Sequence, residues 1–145
     1  MYPAPAVTAL IDQQFVPVRV HIKENPTAWK RFGIRWTPTV MALTPDGKEV
    51  RRVEGYLPED EFLGQLYLDL GYACANQKDW KNAQHWFDEA SKLENTDAAP
   101  EGLYWEGVAR YSATHDHTLL RQITETFKKR YTNTSWAKRT IVWQK

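Results

Sequence analysis

The chain has 145 residues, with 19 Lys and Arg against 18 Asp and Glu, which allows one domain or two very small ones and gives a net charge of +1. That balance excludes a global field drawing nucleic acid or an anionic membrane to the protein, and no apolar run approaches the length of a spanning helix or follows a basic leader. A single cysteine excludes an internal disulfide, a CxxC pair and any cysteine-built zinc site.

The first 56 residues read as alternating helix and strand. Val7, Leu10 and Ile11 share one helical face. Phe15 to Ile22 alternates, with Val16, Val18, Val20 and Ile22 on one side and Phe15, Arg19 and His21 on the other, which predicts a strand. Pro17 has no N–H for a ladder and places that strand's start or edge nearby. Asn25-Pro26 opens a helix whose face is Ala28, Trp29 and Phe32 and which Gly33 ends. Thr39 to Leu43 is a second strand, Pro45-Asp46-Gly47 a tight turn, and Lys48 to Glu54 the half-charged return strand of a hairpin.

After Pro58 the strands stop. Three acids, Glu59, Asp60 and Glu61, occupy a first helical turn, where the dipole favours them. The apolar face Phe62, Leu63, Leu66, Leu70 runs on to Ala73 and Cys74 with no proline, so one helix over about 59–75 is expected to serve both halves. Further helices are predicted from Trp80 to Leu93, Leu103 to Tyr111, Leu119 to Phe127 and Trp136 to Trp143, with a loop from Asn95 to Pro100. The fold class is therefore α/β followed by all-α, with the boundary placed between residues 63 and 64.

Two resemblances bear on function. Over residues 2 to about 68, the run Phe15–Ile22, then Phe32-Gly33-Ile34-Arg35-Trp36-Thr37-Pro38-Thr39-Val40, then Pro45-Asp46-Gly47-Lys48-Glu49, Gly55 and a following helix, resembles the distal two-thirds of the thioredoxin fold. The resemblance implies that Thr37–Pro38 is a cis-proline bond and that Trp36, Thr37, Pro38, Gly55 and Tyr56 line a peptide groove. Thioredoxins work through two cysteines at the start of their first main helix, the first attacking as thiolate and the second resolving the mixed disulfide. Tyr2-Pro3-Ala4-Pro5-Ala6-Val7 resembles the segment just downstream of that dithiol in relatives with helical tails. The chain thus looks like a family member lacking its N-terminal strand and dithiol, with an incomplete sheet.

From Gly64 onward the chain resembles a tetratricopeptide repeat, a helix–turn–helix of about 34 residues with favoured types at set places. Counted from Gly64, Tyr67, Leu70, Gly71, Ala83, Phe87 and Ala90 fall in register; a second unit from Pro100 is poorer, with Gly107 matching but Leu119, Ile123 and Thr126 replacing small residues.

The remaining chemistry-bearing residues have bland readings. Cys74 lies on the apolar side of a helix, an inert small hydrophobe rather than a redox centre. His115-Asp116-His117 is a polar turn lacking a third ligand, His21 a half-exposed strand residue, and His85 a solvent-side helical one. Lys128, Lys129, Arg130, Lys138, Arg139 and Lys145 interleave with Tyr131, Trp136 and Trp143, a solvated helical end sooner than a nucleic-acid surface. No catalytic residue, cofactor or metal is expected.

The sequence thus predicts a thioredoxin-fold protein without a redox dithiol, cytoplasmic, that binds protein or peptide segments. The alternatives are a piece of a thiol–disulfide oxidoreductase whose CxxC lies upstream of Met1, and a helical adaptor with a basic tail. An incomplete sheet also leaves sticky edges, so self-association as a dimer is expected, with direct pairing of Phe15–Ile22 and Thr39–Leu43 as the other repair.

Overall fold

A computed structural model describes residues 4–145. The Tyr2-Pro3 part of the segment singled out above lies outside the described residues. The described residues form a mixed α/β portion followed by an all-α portion, with α1 Pro5–Gln14, α2 Pro26–Arg31, β1 Thr39–Leu43, β2 Glu49–Glu54, α3 Glu59–Asn76, α4 Trp80–Ser91, α5 Ala98–Thr114, α6 His117–Arg130 and α7 Ser135–Arg139, closed by a 3-10 helix at Thr140–Gln144. No helix among them is long and apolar enough to cross a membrane. The chain divides into two compact units, Met1–Glu59 and Asp60–Lys145.

In the first unit, α1 begins with Pro5 in its first turn, where no intrahelical acceptor is lost, and buries Val7 and Leu10. α2 is capped by the Asn25 side chain, which accepts from Ala28 N at 3.0 Å. β1 and β2 pair antiparallel, Thr39 opposite Glu54 and Val40 opposite Val53, with a bulge between Ala42 and Leu43. Gly47, at φ +85°, makes the turn that Pro45-Asp46-Gly47 foretells.

One expected element is absent. Residues 15–20 belong to no helix or strand, and 22–24 form a turn. Among the described residues the sheet holds only β1 and β2, so direct pairing of this segment with Thr39–Leu43 does not occur. Its side chains stand in water, Val16 at 90% exposure and Val18 at 79%. Alternation and β-branching describe a surface ready for a ladder, but a strand exists only where a neighbour completes its hydrogen bonds, and none does so here.

The second unit is built on small-against-large contacts. Its core is Leu68, Ala83, Phe87, Ala90, Ala98 and Ala109, with Tyr67, Tyr72, Trp80 and Trp105 packed on it. Tyr72 meets Phe87 edge-on at 5.4 Å between ring centres and Trp105 at 5.3 Å. Gly102 lies so close to α4 that a Cβ would come 2.7 Å from Phe87 O and 2.8 Å from Ser91 N.

Helix bounds differ from expectation mainly around α5, which starts at Ala98 and takes in Pro100. A proline in a first turn removes an N–H with no partner to lose, so Asn95 to Pro100 is only partly a loop. The last expected helix is divided, because α7 tightens into the 3-10 turn at Thr140.

Candidate functional site

The peptide bond Thr37–Pro38 is cis, as the resemblance implied. Pro38 O accepts from Gly55 N at 2.8 Å, so the entry to β1 and the exit from β2 are joined directly. Two further side chains hold the loop before Pro38. Thr39 Oγ1 donates to Trp36 O at 2.7 Å, and Arg35 Nη2 donates to Glu54 Oε2 at 2.9 Å. Arg52 ties the hairpin to the end of α2 through Phe32 O at 2.8 Å while pairing with Glu49.

This frame brings Trp36, Thr37, Pro38 and Gly55 to neighbouring loops, with Tyr56 next in the chain. Trp36 is 68% exposed and Tyr56 72%, far more than large aromatic side chains usually are. Gly55 holds φ +97°, and no atom lies within 4 Å of where its Cβ would stand, so the backbone here is open to approach. What sequence reasoning missed is the Arg35–Glu54 tie. Two charges nineteen positions apart carry no local signal, and only the hairpin register places them together.

The other singled-out residues lie elsewhere and act differently. Cys74 is a half-buried free thiol on α3, and burial, with Asp79 as a lesser cause, pushes its pKa up. A raised pKa keeps it a thiol at neutral pH, the opposite of an attacking thiolate. His115 adopts a left-handed conformation (φ +58°) that closes α5, and the Asp116 carboxylate caps α6, accepting from Thr118 N at 2.9 Å. No group of three metal-ligating side chains exists among the described residues. His85 is exposed beside the Trp86 ring. His21 does not sit in a strand: its Nδ1 accepts from Lys23 N at 3.3 Å in a turn. Of the C-terminal basic residues, Arg130 pairs with Glu94, Lys128 with Glu125 at 2.8 Å, and Arg139 lies 4.0 Å over the Trp136 ring.

Two buried acids were not foreseen, Asp69 on α3 and Glu106 on α5. Glu106 on α5 is only 8% exposed; Gln84 Nε2 donates to it at 3.3 Å and Arg110 Nε lies 3.6 Å away. Burial raises its pKa and Asp88 adds to the rise, with Arg110 and Gln84 opposing.

Residues 3–67, under half of the chain, match the family model of a thioredoxin-like domain. This stretch is therefore thioredoxin-like, and residues 68–145 form a helical region. Searches of curated proteins and of solved structures returned no match.

Proposed function

We propose that this chain is a protein-binding module on a thioredoxin-like frame, holding no redox dithiol, which presents the Trp36–Pro38 and Gly55–Tyr56 loops to an extended segment of another protein. The observation that carries the reading is the direct bond between Pro38 O and Gly55 N, which joins two loops that each carry an exposed aromatic residue, Trp36 and Tyr56. Aromatic faces give a bound segment large apolar contact, and an open glycine backbone offers it room for main-chain hydrogen bonds. With one cysteine, protonated and half-buried, the chain cannot cycle between dithiol and disulfide.

We further read the second unit as tetratricopeptide-like. Supporting this, Gly71 packs on Phe87 and Gly107 on Ile123, the same spacing in two successive helix pairs. The unit would offer a partner a second surface of its own.

The test is a library of extended peptides screened on the full chain, followed by amide-resonance titration with the peptides recovered. Shifts should centre on Trp36, Thr37, Gly55 and Tyr56. A Trp36→Ala/Tyr56→Ala variant should weaken binding about tenfold, since central aromatic anchors dominate such contacts, without lowering the melting temperature. Shifts confined to the helical unit would transfer the function there and overturn the loop site.

A further inference from the structure

We infer that the unpaired segment Val16–Val20 is a self-recognition strand, and that a second copy of this chain pairs with it antiparallel, with Val18 on the two-fold axis. This goes beyond the peptide-binding reading and does not rest on it.

Among the described residues, no hydrogen bond engages the backbone of 16–20; the nearest are Phe15 N to Ile11 O and the turn bonds to His21 O. Val16, Val18 and Val20 are 90%, 79% and 51% exposed. A row of β-branched side chains over unpaired backbone is what an edge strand presents to another chain, and natural proteins seldom leave one uncovered.

Pro17 decides which edge can pair. In an extended strand the N–H and C=O of one residue point to the same side, and those of the next residue to the other. The edge carrying residues 15, 17, 19 and 21 lacks a donor at Pro17, whereas the edge carrying 16, 18 and 20 is complete. Pairing therefore uses the even-numbered residues, with the proline facing away from the ladder.

Charge then decides the register and favours a second copy. With Val18 opposite its own counterpart, Val16 faces Val20 twice, Arg19 faces Pro17 and His21 faces Phe15. No like charges stand directly opposite, and every bonded pair is valine on valine, the kind of cross-strand pair that stabilises sheets. Moving the centre to residue 19 sets Arg19 against Arg19. Moving it to residue 20 sets Val16 against Glu24, whose N–H is already given to His21 O at 3.0 Å. Moving it to residue 17 sets Val20 against Gln14, which belongs to α1, so the segment is its own complement in the register centred on Val18, as a two-fold interface requires.

Sedimentation velocity on the full chain across the micromolar range should show a species of twice the chain mass. Val18→Pro removes an N–H from the pairing edge and should raise the dimer dissociation constant at least about tenfold, while Arg19→Pro removes one from the outer edge and should change it less than about threefold. Both positions lie outside regular elements, and matching circular dichroism melts verify that each variant folds. In a Cys74→Ala background, Val18→Cys should form a covalent dimer on mild oxidation and Arg19→Cys should not. Bonded pairs across a two-fold sit about 5.5 Å apart at Cα, within disulfide reach. A monomer throughout the range overturns the inference, as does a dimer that Val18→Pro leaves intact, including one that pairs instead through the open edge of β1.

Discussion

Gly71 on α3 packs directly on the Phe87 ring of α4: a Cβ at Gly71 would fall 2.5 Å from Phe87 Cε1 and 2.9 Å from its Cζ. Phe87 is fully buried between Tyr72 and Trp105, so its ring has nowhere to retreat. The absence of a side chain at 71 sets how closely these two helices approach.

Gly71→Ala should therefore destabilise the helical unit although alanine is the better helix former. Overpacking costs about 1–3 kcal/mol and the propensity gain returns about 1, leaving a net loss of up to about 2 kcal/mol. Urea unfolding followed by circular dichroism should show a lower midpoint with an unchanged slope. Phe87→Leu in the same chain should recover part of the loss.

Glu106 makes stability depend on pH. Its folded-state pKa is raised, chiefly by burial, so the folded chain holds this proton more tightly than the unfolded chain. The Glu106 contribution is then fully present below the ordinary carboxylate range, falls as pH rises through that range, and levels off above the raised value. Glu106→Gln should abolish this component and leave the variant more stable than the parent at neutral pH, while the two converge in acid. Urea midpoints measured across the acidic range check it.

The Cys74 thiol should react slowly. Burial and Asp79 keep it protonated, and its half-buried place on α3 restricts access. At neutral pH a disulfide reagent should label it at least about tenfold more slowly in the native chain than in urea. In an insulin-reduction assay the chain should give no acceleration over dithiothreitol alone, and Cys74→Ala should behave identically.

His115 holds a left-handed backbone conformation at the end of α5, where glycine is the usual occupant. His115→Gly should stabilise the chain by about 0.5–1 kcal/mol by relieving that conformation, visible as a rise in melting temperature.

How much of this was legible in the sequence depends on how local each cause is. Thr39 to Leu43, the Pro45-Asp46-Gly47 turn and the cap at Asn25 follow from a few adjacent residues, and each stands where its neighbours place it. The loops of the candidate site were legible through the same short motifs. Phe15 to Ile22 carries an equally clear alternation yet forms no strand, because pairing depends on a partner that alternation does not supply. Leu68 is buried on the side of α3 away from the face of Phe62 and Leu66, since a helix wrapped by neighbours has no single apolar stripe. The place of Glu106 had no local signature either, as its partners come from α4 as well as its own helix.

The placing of the tryptophans has a spectroscopic consequence. Five of the seven, Trp80, Trp86, Trp105, Trp136 and Trp143, belong to the helical unit. The Trp105 indole N–H is shielded from solvent without a hydrogen-bond partner among the described residues, a setting that shifts emission to the blue. In the first unit Trp36 is already 68% exposed, so its emission is water-like before unfolding begins and only Trp29 is left to change colour. Intrinsic fluorescence therefore follows the melting of residues 60–145 and is nearly blind to the loss of the β1–β2 hairpin. The same bareness makes Trp36 the natural reporter for the other event: a segment laid across its ring would move its emission to the blue with no label attached.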